Sequence, residues 1–244
     1  MKKVISIVVG LGEVGSALFD ILSDKQKSYA HDPEKYIVCE ESRCDILHIC
    51  FPYTNEKDFI YSIRGYVNRY NPDLVMVHSS VPVGTTKKIP HMAVHSPVRG
   101  KHPDIKAGLL KYKKFIGFND LTAMKLCDEL LDGIFDIHYV QGTDTTELLK
   151  ILSLSKYLVY LALADEIKGI CDEEKIPYDL VQEWDRDQNK HINEFYPDMR
   201  FPIIDPPRGS IGGHCVLQVS KFIAEKEPAS APLISASYKK YAGS

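Results

Sequence analysis

Val4-Ile5-Ser6-Ile7-Val8-Val9-Gly10-Leu11-Gly12-Glu13-Val14-Gly15 decides how the chain folds. The apolar run Val4–Val9 does not alternate with polar residues, so it reads as a strand buried on both faces of a sheet. A helical stretch, Gly15–Ser23, follows the glycines. Between them stands G-x-G-x-x-G. Gly10 permits a tight turn, Gly12 keeps a Cβ away from a pyrophosphate, and Gly15 lets the helix pack close to the strand. The helix N-terminus adds free N–H groups and a partial positive charge. A dinucleotide is therefore expected on Gly10, Leu11, Gly12, Glu13, Val14 and Gly15. The pattern alone is weak; the strand before it and the helix after it make it stronger than an accidental glycine turn.

An acidic residue about 20 positions on, at the end of a second strand, would accept hydrogen bonds from ribose hydroxyls. Asp32, in Ala30-His31-Asp32-Pro33, is in range. No Arg follows it closely, which favours NAD over NADP. The alternative is a local role for Asp32, capping the turn that begins at Pro33.

Outward from this segment, short apolar runs alternate with helical stretches. Strands are expected at Val4–Val9, Ser28–Ala30, Ile37–Cys39, Ile46–Phe51, Leu74–His78, Met92–His95, Phe115–Gly117 and Ile137–Val140. Helices are expected at Gly15–Ser23, Glu56–Tyr70 and Leu121–Leu131. This order predicts an α/β fold with a Rossmann-type doubly wound parallel sheet. Pro52, Ser79 and Ser80 follow strands and are further expected cofactor contacts, although either serine could instead cap a turn.

From Thr143 the pattern changes. Thr145–Asp172 contains no Pro and one Gly, and reads as one long helix on the order of 40 Å. Leu158–Ala164 is apolar all round and must be covered, by its own domain or by a second subunit. A homodimer through this helix is the expectation. Tyr178–Glu194 reads as another helix, Phe195–Gly213 as a Pro- and Gly-rich ordered loop, and Val216–Lys226 as a last helix. The tail after Pro228 reads as small, polar and poorly ordered. The expected division is residues 1–142 for the dinucleotide domain and 143–244 for the long helix with a small helical domain.

The 244 residues are 44% hydrophobic and 26% charged, with a net charge of −3. That suits a packed core and gives no basic surplus for nucleic acid or anionic lipid. The N-terminal run lacks a signal-peptide cleavage site and is broken by glycines, and no apolar run is long enough to span a membrane. A cytoplasmic protein is expected. None of the six cysteines forms C-x-x-C, so scattered reduced thiols and no metal site are expected.

Three more segments, in order, extend the picture. His78-Ser79-Ser80-Val81-Pro82-Val83-Gly84-Thr85-Thr86 resembles the S-T-V-P-x-G-T segment of the UDP-glucose/GDP-mannose dehydrogenase family. Glu147-Leu148-Leu149-Lys150 resembles that family's E-x-x-K at the start of a long central helix. Gly212-Gly213-His214-Cys215 resembles its G-G-[SH]-C loop. The resemblance covers roughly residues 1–225 and reads as a short form without the family's C-terminal nucleotide-sugar domain. It implies an NAD-dependent oxidoreductase oxidising an alcohol of a sugar-like or hydroxy-acid substrate. In that role Cys215 would be the nucleophile, Lys150 would stabilise an oxyanion, and His214 would bind substrate or tune the thiol. Residue-level alternatives remain: Cys215 as an inert thiol, Lys150 as a surface partner of Glu147, and His214 as a packed loop residue.

The family pattern also breaks. Its asparagine four residues past the lysine is Leu154 here, its aspartate four past the cysteine is Val219, and its N-P-E glutamate falls at Val98. Three apolar replacements suggest different chemistry or none. A non-catalytic NAD-binding or regulatory protein is thus the second reading. His95, Arg99, Lys101 and His102, together with Arg208, could hold an anionic small-molecule substrate; a solvated basic loop is the alternative.

Overall fold

A computed structural model of the chain describes residues 4–100, 103–207, 211, 214–226 and 229–242. The chain divides into two compact units, Met1–Lys150 and Ile151–Ser244. The first holds a seven-stranded sheet: β1 (Ile5–Val9), β2 (Lys27–His31), β3 (Ile46–Ile49), β4 (Leu74–Val77), β5 (Ala93–His95), β6 (Lys114–Phe118) and β7 (Ile137–Gln141). The strand order is β2-β1-β3-β4-β5-β6-β7. All neighbours pair in parallel except β5 and β6, which meet antiparallel at His95 and Gly117. The order reverses direction between β1 and β3, the crevice where doubly wound sheets bind ligands.

Both sheet faces are covered, which is why the strands read as unbroken apolar runs. On one face α1 (Glu13–Ser23), α3 (Ile105–Lys111) and α4 (Leu121–Leu131) bury Leu18, Leu22, Leu109 and Leu131 against Val8, Ile46, Met76 and Ile116. On the other, α2 (Glu56–Tyr70) buries Phe59, Ile63 and Tyr70 against Ile7, Leu47, Val75 and Val77. Each such side chain contributes roughly 1.5–3 kcal/mol of transfer free energy. The capping side chains are local: Asn55 Oδ1 accepts from Asp58 N at 3.0 Å to start α2, and Asp120 accepts from Thr122 N at 2.7 Å to start α4.

The second unit contains most of α5 (Thr143–Glu173), then α6 (Tyr178–His191), α7 (His214–Ala224) and α8 (Pro232–Tyr241). Its core joins Leu158, Leu161 and Ala162 to Ile211, Val216 and Tyr241.

Two expectations are corrected. Ile37–Cys39 adds no strand. Asp32 caps a 3₁₀ turn at Pro33–Lys35, Tyr36 takes φ 57°, and Ile37 only bridges back to Asp32. The tail is not irregular: α8 starts with Pro at its first turn and is fastened by Tyr241 Oη donating to Asp165 Oδ2 at 3.0 Å. Lys240 Nζ lies 2.9 Å from the same carboxylate. Of the two covers expected for Leu158–Ala164, the chain itself supplies a part: Leu158 and Ala162 are buried while Tyr160 and Leu163 are exposed. Helix α3 has no counterpart in the sequence reading, and the expected Tyr178–Glu194 helix ends as a 3₁₀ turn at Ile192–Glu194.

Candidate dinucleotide and substrate site

The glycine loop has the geometry its sequence demands. Gly10 adopts φ +87°, and a Cβ there would meet Phe51 N at 2.7 Å. A Cβ on Gly15 would meet the Gly10 carbonyl oxygen at 1.8 Å, so only glycine lets α1 approach β1 this closely. Gly12 differs: it is the N-cap of α1 with extended backbone, and a Cβ on it would meet nothing within 4 Å. The space over Gly12 is open, as a pyrophosphate above the helix N-terminus requires.

That space belongs to a cleft of about 350 Å³ lined by Gly10, Gly12, Asp32, Lys35, Pro52 and Tyr66, among others. Asp32 is buried beneath it. One carboxylate oxygen accepts from Leu11 N at 2.7 Å, and the other accepts from Glu34 N at 3.1 Å and Lys35 N at 3.3 Å. The turn-capping role and the cleft-lining position therefore coexist. Lys35, which the sequence reading passed over, bonds through Nζ to the Leu11 carbonyl. Of the remaining loop residues, Leu11 is buried, Val14 is half-buried and Glu13 is exposed.

The carboxyl ends of the strands are tied together beside the cleft. Ser79 Oγ donates to the Phe51 carbonyl at 2.6 Å, linking the segments after β4 and β3. Ser80 is half-buried next to it. His95 is fully buried. Its Nε2 lies 3.3 Å from the Ser79 carbonyl and its Nδ1 lies 2.8 Å from Thr146 Oγ1. A carbonyl can only accept, so Nε2 carries the proton, and the ring is a strut between β5 and α5. Burial pushes His95 down to about 3, so it stays neutral.

Helix α5 supplies the next anchors. Glu147 is fully buried, and its carboxylate accepts from Gly84 N at 2.5 Å and Thr86 N at 2.8 Å. Burial pushes its pKa up, while the hydrogen bonds from Thr86 and Gly84 pull it down. One turn later, Lys150 Nζ donates to the Val98 carbonyl at 2.8 Å. The Val98 side chain is itself buried. Arg99 is exposed, donates to the Lys113 carbonyl at 2.7 Å, and lies over the rings of Tyr112 and Phe115.

In the second unit Cys215 is exposed on the first turn of α7, which begins at His214. Leu154 is half-buried in that unit's core and Val219 is buried. Lys101, His102, Arg208, Gly212 and Gly213 lie outside the described residues, as does the side chain of His214. All six cysteines are free thiols. Among the described residues, no three His, Cys, Asp or Glu side chains are grouped to hold a metal, and no helix is long and apolar enough to cross a membrane.

A sheet that reverses at β1, with a glycine loop and a buried aspartate at the crevice, defines a Rossmann-type fold, the class in which that crevice takes a dinucleotide. The comparisons narrow the class. The chain is 27% identical over 205 residues to a UDP-N-acetyl-D-mannosamine dehydrogenase of Methanococcus vannielii, covering 80% of this chain and 43% of that protein. It superposes with a TM-score of 0.77 on a UDP-D-ManNAc dehydrogenase from Pyrococcus horikoshii, at 18% identity, over 96% of this chain and 67% of the other. It also superposes with a TM-score of 0.70 on Mycobacterium tuberculosis 3-hydroxyisobutyrate dehydrogenase, at 13% identity, over 100% of this chain and 94% of the other. No family model matches the chain. The chain spans less than half the length of the curated relatives it matches. The likeness covers only the N-terminal portion of these UDP-sugar dehydrogenases.

Proposed function

We propose that the chain is an NAD-dependent dehydrogenase that oxidises an alcohol of a sugar-like or hydroxy-acid small molecule. The observation that carries this is the pair of contacts made by one turn of α5. Glu147 fixes the loop after β4, and Lys150 reaches the loop after β5, both beyond the carboxyl ends of parallel strands. A half-buried ammonium there can stabilise the negative charge that develops on a substrate oxygen as its hydride leaves. The nicotinamide cofactor supplies the hydride acceptor. The open space over Gly12 fits its pyrophosphate, and Asp32 fits its ribose and favours NAD. Within this reading Cys215 and His214 serve the reacting carbon, and Arg99, with Arg208 and His95, serves an anionic substrate, His95 through the Ser79 segment it holds.

The test is NADH formation from NAD over a panel of nucleotide sugars, sugar phosphates and hydroxy acids. Lys150→Ala should cost on the order of 100-fold in kcat with dinucleotide affinity kept. Full activity in Lys150→Ala removes the oxyanion role, and full activity in Cys215→Ser removes the nucleophile role. The relatives named as UDP-sugar dehydrogenases make nucleotide sugars the first substrates to try.

The second reading, a non-catalytic NAD-binding protein, is favoured by the buried Val98 and Val219 and by Leu154 in an apolar core. Dinucleotide binding with no turnover on the whole panel would select it. Residues 1–142 as the dinucleotide domain and 143–244 as the helical domain, a cytoplasmic location, and a homodimer through α5 complete the proposal. Leu149, Leu152, Leu163 and Ile170 are exposed along that helix and support the dimer. Light scattering at the monomer mass would refute it.

A further inference from the structure

Among the described residues that line the cleft, Lys35 alone is basic. Its Nζ donates to the Leu11 carbonyl of the glycine loop, 24 residues away in sequence. The amide of the same Leu11 donates to Asp32 Oδ2 at 2.7 Å. One residue of the glycine loop therefore holds the Asp32 carboxylate on its N–H and the Lys35 ammonium on its C=O. The two charges flank a single residue's backbone, at the corner of the cleft just beyond the end of β2.

The carboxylate at this corner is largely used by the protein itself. A carboxylate offers about four acceptor positions. Asp32 spends three of them on backbone amides: Leu11 N on Oδ2, and Glu34 N at 3.1 Å and Lys35 N at 3.3 Å on Oδ1. Room is left on Oδ2 for one ligand hydroxyl. In the usual NAD site an acidic residue accepts from the ribose 2′-hydroxyl, and a phosphate in that place meets its charge directly. Here three N–H dipoles already point at the carboxylate and an ammonium stands across Leu11 from it. Both weaken the repulsion that a phosphate would meet. Glu34 also lines the cleft, with a charge that opposes a phosphate and keeps NAD the preferred cofactor.

Lys35 is free to serve a ligand. The Leu11 carbonyl also accepts from Ser16 Oγ at 2.9 Å, so it keeps a donor when the ammonium turns away. Lys35 is exposed, and an ammonium on a flexible stem carries three donors. The remaining wall of the cleft includes Phe51, Pro52 and Tyr66. Tyr66 is braced by Phe51 and His31, with ring centroids 5.9 and 5.3 Å away. A flat, braced apolar wall suits an adenine ring. With the pyrophosphate over Gly12 and the adenine on this wall, the ribose between them falls at the corner of Asp32 and Lys35.

We infer that Lys35 is the cofactor-specificity residue of this cleft: its ammonium takes the 2′-phosphate of NADP, so that the chain accepts NADP beside NAD, with Asp32 grading the two rather than excluding one. This rests on the dinucleotide reading proposed above and narrows its preference for NAD.

The experiment is a fluorescence titration of NADH and NADPH on the full chain, with Lys35→Ala and Lys35→Arg beside it. Wild type should bind NADPH within about tenfold of NADH, a modest difference of affinities between two cofactors that share every other group. Lys35→Ala should widen that gap by about a further tenfold, the loss of one charge-assisted bond to phosphate, with NADH affinity kept within about twofold. Lys35→Arg should keep the wild-type ratio. Adenosine 2′,5′-bisphosphate should bind Lys35→Ala more weakly than wild type, while 5′-AMP binds both alike. A wild type that binds NADH and not NADPH overturns the inference. So does an unchanged ratio in Lys35→Ala, including an equal loss of both cofactors, which marks a contact to the pyrophosphate or a structural role. A wild type that binds neither cofactor removes the dinucleotide reading as well.

Discussion

The carboxylate of Glu147 accepts the backbone N–H of Thr86 at 2.8 Å, across 61 residues of sequence, and so fixes the loop after β4 to the first turns of α5. Glu147→Ala would leave the Thr86 and Gly84 amides without their acceptor in a buried setting. We expect a loss of about 2–4 kcal/mol in urea unfolding, since each orphaned buried donor costs about 1–3 kcal/mol. Glu147→Gln should also destabilise, because its NH₂ faces a backbone donor where an oxygen stood. A wild-type midpoint in both variants would contradict the anchor.

The two glycines at the start of α1 should separate folding from binding. Gly15→Ala forces a methyl to within 1.8 Å of the Gly10 carbonyl oxygen and should cost about 3 kcal/mol or more. Gly12→Ala meets no atom and has backbone angles any residue adopts, so its stability should change by less than about 0.5 kcal/mol. Its methyl would occupy phosphate space, weakening NADH by at least about tenfold, or 1.4 kcal/mol. Thermal unfolding and NADH titration of the two variants read the contrast.

The buried Lys114 has a signature in stability. Its folded pKa of about 8 lies below the ordinary 10.5. Between those values the unfolded chain holds a proton that the folded chain has released, so stability rises with pH across that window. The full penalty, about 3 kcal/mol, applies below pH 8. Lys114→Met should therefore be more stable than wild type at pH 7, with the gap closing by pH 10.5. Chemical denaturation at the two pH values measures it.

The buried histidines should dominate acid lability. His48 and His95 are both held to about 3, mainly by burial, against an ordinary 6.5. From pH 6.5 down to 3 the unfolded chain takes up protons that the folded chain refuses, so stability falls by about 1.4 kcal/mol per pH unit for each ring. His48→Gln should lose one ring's share of that slope.

How much of this could be read from the residues depends on the range of the interaction. Gly10–Gly15, β1 and α1 are encoded by neighbours in sequence, and α2 and α4 end where their patterns end. Ile37–Cys39 has strand-like residues, but the Asp32 cap and Tyr36 at φ 57° turn the chain back before a strand can form. Helix α8 gives no strong pattern, because small serines and the bonds of Tyr241 and Lys240 to Asp165, distant in sequence, hold it. Glu147 was visible as part of a motif, but its partners at Gly84 and Thr86 were not. Lys114 gave no signal, because its burial follows from one reversed strand in an otherwise parallel sheet. Lys35 stands close to Asp32 in the sequence, but the ribose-binding pattern distinguishes cofactors by an arginine there and gives a lysine no weight.

The bond from Leu11 N to Asp32 finally bears on rates. It ties the glycine loop to the end of β2, so the mouth of the cleft is already shaped when a ligand arrives. Little ordering of the loop remains to oppose association. Stopped-flow mixing with NADH should show one phase that accelerates linearly with concentration, with no slow conformational step limiting it.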